Sequence, residues 1–161
     1  MTGVAEPGLL VRARGGRVDC LHAQWGGSDA AIGAVLDGSQ PAETVADWQP
    51  AGRKPSLSAC LADLDSLRLS AVYLQDGATR VYRPLWFGLP TAGLVAEPTA
   101  GVLVRVRSLA DARRLRHDWR TLKRLVAEAV TAGRLPLPAV PLVLRAALAG
   151  RETLGGPAWL A

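Results

Sequence analysis

The sequence predicts an α+β fold in which helices pack on one face of an antiparallel sheet of about five strands. Three observations support this class. Two segments, 8–25 and 69–86, alternate apolar and polar residues and reverse at glycine, as β-hairpins do. A third alternating segment, 101–107, precedes a segment, 108–133, whose apolar residues recur at helical spacing. We therefore expect one domain for the 161 residues, with its ordered core at about 8–150 and about four helices.

The first hairpin turns at Gly15–Gly16, a pair that tolerates the positive φ angles of a two-residue turn. This register places Arg12 opposite Asp19, where an ion pair would join the two strands. It also sorts the side chains onto two faces, and the more apolar face is expected to be buried. That face holds Leu9, Val11, Ala13, Val18, Cys20 and His22. Cys20 and His22 are therefore expected to point into the core.

Two short helices and a connection follow the first hairpin. Ser28 is a suitable N-cap for a helix that runs to about Leu36 and stops at Asp37–Gly38. Residues 39–54 contain two prolines and no clear period, so we expect a surface connection there. A second helix is expected from about Ser56 to Leu67, because leucines recur at helical spacing.

The second hairpin turns at Asp76–Gly77. A two-residue turn at this point places Val72 opposite Val81 on one face of the sheet. Pro84 has no backbone N–H, so the end of this strand is expected at a sheet edge or at a bulge.

The segment 108–133 predicts one long amphipathic helix. Ser108 is suited to cap its first turn, and Gly133 is suited to end it in left-handed backbone. Its apolar stripe consists of Ala112, Leu115, Trp119, Leu122, Val126, Ala129 and Val130. The opposite side carries Arg113, Arg116, His117, Arg120 and Arg124, with Lys123 at its edge. A last helix is expected at about 138–149.

Positive charge is concentrated around the long helix. From Arg105 to Arg134 there are nine basic and three acidic residues, whereas the whole chain has a net charge of only +5. A one-sided basic stripe is typical of a surface that meets nucleic-acid phosphates or an acidic protein. Arg105 and Arg107, on the strand before the helix, would extend that stripe. The alternative is a solvated helix face in a chain whose composition favours arginine over lysine.

The functional hypothesis from these patterns is a non-enzymatic binding module without a cofactor, which contacts nucleic acid or an acidic protein surface through the basic helix. The alternative is an assembly or interaction protein, in which Trp86 and Phe87 form an apolar contact patch or a stacking surface. If buried, these two aromatic side chains would instead close the core. A third possibility is an enzyme that uses Cys20 and His22, although no oxyanion motif accompanies them.

Other classes are disfavoured by the sequence. A zinc site that joins Cys20 and His22 to Cys60 and His117 is disfavoured because arginines surround His117. No apolar run reaches the length of about 20 residues that a membrane span requires. The N-terminal residues lack a signal-peptide pattern, and two cysteines do not form a disulfide framework, so a cytoplasmic protein is expected.

Two segments carry a family resemblance. Residues 21–26 (Leu-His-Ala-Gln-Trp-Gly) close the first hairpin, and residues 82–89 (Tyr-Arg-Pro-Leu-Trp-Phe-Gly-Leu) close the second. In these segments the chain resembles an uncharacterised family of small proteins known mainly from halophilic archaea. The resemblance implies the family's order of elements, with two hairpins followed by two C-terminal helices. It implies no activity, cofactor or site residue.

Overall fold

The computed structural model describes residues 3–89 and 101–155. Within these ranges it has an α+β fold with one seven-stranded sheet and four α-helices, so the predicted class is confirmed. The strands are β1 (Gly8–Arg14), β2 (Arg17–Ala23), β3 (Gln49–Lys54), β4 (Ala71–Asp76), β5 (Ala78–Trp86), β6 (Gly101–Val106) and β7 (Thr153–Leu154). The helices are α1 (Asp29–Leu36), α2 (Leu57–Ala62), α3 (Leu109–Thr131) and α4 (Val140–Ala146), with 3-10 turns at Ala42–Thr44 and Leu137–Ala139.

The sheet is mixed, so the prediction of five antiparallel strands was wrong in detail. Its strand order is β3-β2-β1-β4-β5-β6-β7. β1 and β4 run parallel, and the other neighbouring pairs are antiparallel. After β2 the chain forms α1, β3 and α2 before it returns beside β1, which is the long crossover that a parallel pair requires. Alternation along a sequence identifies each hairpin, but it does not show which strands of two hairpins become neighbours.

Both faces of the sheet are buried, so the prediction that helices pack on one face only was wrong. On one face α1, α3 and α4 cover the strands, and Ile32, Trp119 and Leu144 are their buried contributions to this core. On the other face α2 and the segment after it cover the strands through Cys60 and Leu64. Covering both faces explains why the central strands are rich in apolar residues at successive positions.

The first hairpin has the predicted register, with Arg12 opposite Asp19. The ion pair differs from the prediction, because Asp19 accepts a hydrogen bond from Arg53 of β3 at 2.8 Å. Cys20 is buried, as predicted, but His22 is exposed. The helix that covers this face of β2, α2, has only six residues and packs its buried Cys60 at Cys20, so it leaves His22 uncovered.

β3 occupies part of the stretch that was predicted to be a surface connection. Its first five residues are exposed, so they give no alternation of apolar and polar residues in the sequence. It pairs with β2 at the sheet edge, with a shift in register between Cys20 and Leu21. Pro50 and Gly52 are also unusual in a strand and are tolerated here because the strand lies at the edge. An exposed edge strand of this kind lacks the alternation of apolar and polar residues by which strands are predicted.

The second hairpin has a different register from the one predicted. Asp76 pairs with Ala78, so Gly77 alone forms the turn, with φ +94°. Val72 therefore lies opposite Tyr82, and not opposite Val81. The shift of one residue moves side chains to the other face of the sheet. As a result Val81 lies in the α3 core, whereas Val72 lies in the α2 core.

Pro84 lies in an interior strand, between β4 and β6, where an edge or a bulge was expected. It pairs with Leu103 of β6. The pairing of β5 with β4 ends at Tyr82, so on that side Pro84 has no strand partner. An interior strand can accept proline here because one of its two ladders has already ended.

The long helix and the first helix form as predicted. The Ser108 hydroxyl accepts a hydrogen bond from the Asp111 N–H at 3.0 Å, and Gly133 follows α3 with φ +70°. Of the predicted apolar stripe, the fully buried residues are Ala112, Leu115, Trp119 and Val126. α1 begins after the Ser28 cap and ends at Leu36, as the sequence indicates. α2 and α4 are shorter than predicted.

Two backbone segments approach closely at the end of the first hairpin that lies away from its turn. A Cβ atom on Gly8 would lie 2.5 Å from the carbonyl carbon of Gly26, and one on Gly26 would lie 2.6 Å from the Trp48 ring. The Tyr73 hydroxyl donates a hydrogen bond to the Gly26 carbonyl at 2.6 Å. This contact ties β4 to the end of the first hairpin within the core.

We expect the Tyr73→Phe substitution to lower the free energy of unfolding by about 1–2 kcal/mol, because the buried Gly26 carbonyl loses a donor. Tyr82→Phe is the matched control, since Tyr82 is also fully buried but its hydroxyl has no hydrogen-bond partner among the described residues. Removing that hydroxyl should leave stability unchanged or raise it slightly. Urea unfolding of both variants measures the difference, and equal losses would contradict this role for Tyr73.

Candidate functional site

A cavity of about 1020 Å³ lies between α3, the end of β5 and the segment 66–70. We call it the α3–β5 cavity. Its apolar wall includes Leu67, Leu69, Leu85, Trp86, Trp119 and Ala127. Its cationic groups are Arg83, Arg116, Arg120, Lys123 and Arg124, and Glu128 is the one acidic residue in its described lining. The cavity therefore combines an apolar surface with an excess of positive charge.

The rotation of α3 determines which of its side chains face this cavity. Trp119 is buried and its ring meets that of Phe87 edge to face, with the ring centroids 5.9 Å apart. Residues spaced three and four positions apart share a helix face. Arg116, Arg120 and Lys123 follow this spacing along the edge of the buried stripe, so they line the cavity together.

Lys123 joins α3 to the end of β5. Its ammonium group donates hydrogen bonds to the Trp86 carbonyl, at 2.7 Å, and to the Gly88 carbonyl. The same nitrogen lies 4.6 Å from the centroid of the Trp86 ring, a cation–π contact. Burial lowers the pKa of Lys123 to about 8. Among the described residues it has no carboxylate partner; the groups there that stabilise its charge are the two carbonyl dipoles and the rings of Trp86 and Trp119, the second with its centroid 5.9 Å from the nitrogen.

A second group of charges lies at the other end of the cavity, around the buried guanidinium of Arg83. Arg83 is 3% exposed and donates to the Ser70 carbonyl at 3.0 Å and to Asp29 at 3.2 Å. Asp29 also accepts a hydrogen bond from Arg113 at 2.9 Å, and this bond lowers the pKa of Asp29 despite its partial burial. Arg116 pairs with Glu6 at 2.9 Å. Burial and the nearby Arg116 lower the pKa of Arg83, which nonetheless stays protonated at neutral pH.

The predicted basic stripe is divided by the fold. Arg113 faces Asp29, and Arg124 pairs with Glu128 at 3.1 Å on the same helix. His117 and Arg120 are exposed and form no ion pair with the part of the chain that the structure describes. Of His117 and Arg120, only Arg120 lines the described part of the cavity.

The remaining predicted site residues lie elsewhere. Arg105 and Arg107 both pair with Glu152, at 3.0 and 2.8 Å, beside β7. Phe87 is 3% exposed and belongs to the core, whereas Trp86 is half-buried and lines the cavity. The structure thus brings part of the basic stripe and one of the two predicted aromatic residues to the same cavity.

Sequence reasoning missed the residues that anchor the charged end of the cavity. Arg83 occupies a position in β5 that alternates with apolar residues directed at the α3 core, such as Val81 and Leu85. An arginine in such a position was the available signal. Its partner Asp29 comes from the first turn of α1 and is 54 residues distant in the sequence. No local pattern connects the two.

The candidate enzymatic and metal-binding residues do not form one cluster. The Cys20 sulfur lies 3.4 Å from the Cys60 sulfur, whereas His22 is exposed at the end of β2. Over residues 3–89 and 101–155, no group of three or more His, Cys, Asp or Glu side chains is placed to hold a metal ion. Nor does any helix in those ranges have the length and apolar character needed to cross a membrane.

Comparisons with known proteins give no match: no protein-family model, no curated protein and no solved structure is significantly similar to this chain. The resemblance to a family from halophilic archaea therefore stays a prediction.

We expect Lys123 to make stability depend on pH in the alkaline range. Its folded-state pKa of about 8 lies below the ordinary value of 10.5. Between these values the unfolded chain holds the proton that the folded chain has lost, so the contribution of Lys123 to stability rises with pH. We expect a rise of roughly 2 kcal/mol relative to Lys123→Met, after allowing for solvent screening.

Urea unfolding of both proteins between pH 7 and pH 11 measures this difference, because that range brackets the folded and unfolded pKa values of Lys123. Subtracting the Lys123→Met curve removes the titration of tyrosines and cysteines, which affects both proteins alike. A difference that does not change with pH would contradict a buried ammonium at this position.

Proposed function

We propose that this protein is a non-enzymatic binding module that takes an organic anion with an apolar or aromatic body into the α3–β5 cavity. The observation that carries the proposal is the lining of that cavity. Five cations and several apolar side chains line a space of about 1020 Å³, against a single carboxylate in the described lining. Apolar pockets with a few convergent polar groups are the usual form of small-molecule sites.

The size of the cavity suits a ligand of about the size of a nucleotide or a long-chain carboxylate. Its apolar wall would stabilise the ligand body by about 25 cal/mol for each Å² removed from water. The cations would hold the acidic group, and a partly dry site strengthens such charge-assisted hydrogen bonds. Carboxylates and phosphate esters share this chemistry, so the proposal covers both.

Arg120 is the main candidate for the direct anion contact. Arg116 already donates to Glu6, Arg124 to Glu128, and Lys123 to two backbone carbonyls. Arg120 is exposed at the cavity and has no such partner within the described residues. A ligand can therefore recruit its guanidinium without first breaking an ion pair of the protein.

The second candidate is the sequence-based hypothesis of a nucleic-acid or acidic-protein contact along the outer face of α3. The exposed positions of Arg113, His117, Arg120 and Arg124 support it. A polyanion on that face would have to compete with Asp29 for Arg113 and with Glu128 for Arg124. The cavity requires no such competition and is the better supported site. An interaction patch around Trp86 and Phe87 has less support, because Phe87 is buried.

We expect anilinonaphthalene sulfonate, an aromatic anion, to bind the folded protein with about one molecule per chain and a change in tryptophan fluorescence. The Arg120→Gln substitution should weaken this binding about tenfold, because one charge-assisted hydrogen bond is lost. Arg114→Gln is the matched control, since Arg114 is an exposed arginine of the same helix that does not line the cavity. Phenylnaphthylamine, which has a similar body without the sulfonate, should bind both variants equally.

Equal weakening by Arg114→Gln, or no saturable binding, would contradict the cavity proposal. The second candidate predicts a different pattern with a single-stranded oligonucleotide as the probe. Its affinity should fall steeply with salt, and Arg113→Gln should weaken it as much as Arg120→Gln does. Circular dichroism verifies that each variant is folded.

A further inference from the structure

The two cysteines of the chain meet in the core on the α2 side of the sheet, away from the proposed ligand site. Cys20 belongs to β2 and Cys60 to α2, and their sulfur atoms lie 3.4 Å apart. Both are free thiols and both are buried, at 7% and 4% exposure. They are separated by 40 residues in the sequence, so the contact is produced by the fold.

The surroundings of the pair are apolar and hold Cys60 in the thiol form at neutral pH. Val11, Val18 and Leu64 belong to the same apolar core. Burial raises the pKa of Cys60 to about 12, so at neutral pH this group is a thiol and not the reactive thiolate. The ion pair between Lys54 and Asp63, at 2.6 Å, joins β3 to the end of α2 close to the two sulfur atoms.

We propose that Cys20 and Cys60 are a redox-active pair, which a hydroperoxide converts into a reversible disulfide between β2 and α2. In the first step one sulfur attacks the peroxide O–O bond, which gives a sulfenic acid and releases water or an alcohol. In the second step the other sulfur attacks the sulfenic sulfur, the S–S bond forms, and water leaves. Two thiols lose two protons and two electrons in total, and the hydroperoxide is reduced.

The geometry favours an intramolecular bond over the other fates of a sulfenic acid. A disulfide has a sulfur–sulfur distance of about 2.05 Å, so the two atoms must approach by a little over 1 Å from their observed contact. α2 is the element that can supply this shift, because it has only six residues and one fully buried side chain. β2 lies within the sheet between β1 and β3 and is held on both sides. Local opening of α2 would also give the oxidant access to the sulfur atoms.

The bond would fix α2 to the sheet. A cross-link that closes a loop of 40 residues restricts the unfolded chain and raises thermal stability, by about 10 °C in Tm for a loop and a chain of this size. The segment that follows α2 supplies Ser66 and Leu67 to one wall of the α3–β5 cavity. Oxidation would therefore restrict the motion of the residues that precede this wall. The disulfide proposal itself does not depend on whether the cavity binds the proposed ligand.

The experiment treats the folded wild-type protein with hydrogen peroxide, denatures it, alkylates the remaining thiols and measures the intact mass. We expect the loss of about 2 Da with no alkylation and no dimer, reversed by dithiothreitol. Cys20→Ser and Cys60→Ser are the controls, and each should keep one thiol that alkylates or oxidises further. Two alkylatable thiols after treatment, or a sulfinic acid on the wild-type protein, would overturn the proposal.

A second measurement does not depend on the variants. The wild-type protein is equilibrated with reduced and oxidised glutathione, once folded and once in concentrated urea. If the native contact favours the bond, the equilibrium constant for the internal disulfide should be at least about tenfold higher in the folded protein. An equal or lower constant in the folded state, or a Tm that falls on oxidation, would show that the native geometry opposes the disulfide.

Discussion

The burial of one face of α3 against the sheet is the constraint on which the proposed site depends. Ala112, Leu115, Trp119 and Val126 are buried there and fix both the position and the rotation of the helix. Because successive helical side chains are separated by about 100°, this rotation assigns a direction to every other residue of α3. Arg116, Arg120 and Lys123 reach the cavity as a result, while His117 remains in solvent. Packing thus determines which charges are available to a ligand.

Charge in this protein is organised by contacts between distant parts of the chain. Arg113 is paired with Asp29, which is 84 residues away, and Arg116 with Glu6, 110 residues away. Arg105 and Arg107 share Glu152 across a separation of about 45 residues. A count of charges finds nine basic and three acidic residues between Arg105 and Arg134, and three carboxylates from other parts of the chain, Glu6, Asp29 and Glu152, pair with four of those arginines. Among the cations of α3, Arg114, Arg120 and Lys123 have no carboxylate partner in the part of the chain that the structure describes; Lys123 is partly buried and the two arginines are exposed.

Most of the local structure could be predicted from the sequence, but the pairing between distant strands could not. The capping residues Ser28 and Ser108 and the helical spacing of apolar residues were sufficient to predict α1 and α3. The Gly15–Gly16 turn fixed the register of the first hairpin, because both residues have positive φ. The turn at Gly77 is shorter by one residue than the common two-residue turn. Relative to β4, each side chain of β5 therefore lies on the face of the sheet opposite to the predicted one. β3 has almost no buried residue, so nothing in its composition distinguishes it from a loop.

The site shows the same division. That Arg116, Arg120 and Lys123 share one side of α3 could be predicted, because helical geometry relates them to one another, but the cavity on that side could not. Arg83, Asp29 and Glu6 could not, because they come from three separate parts of the chain and meet only through tertiary packing. The contact between Cys20 and Cys60 is of the same kind, since it depends on where a six-residue helix lies on the sheet.

The close contact between Gly8 and Gly26 restricts which residues can occupy these two positions. The space between these two backbones would not accept even a methyl group, since a Cβ on Gly8 would overlap the carbonyl of Gly26. Glycine at positions 8 and 26 is therefore a steric requirement of this contact, whereas Trp25, which is 46% exposed, is not required by it. Beside this contact the Gly27 N–H donates to the Glu6 carbonyl and the Ser70 N–H donates to the Pro7 carbonyl. A side chain at Gly8 or Gly26 would therefore also displace the segments that bring Glu6 to Arg116 and Ser70 to Arg83, at the charged end of the cavity.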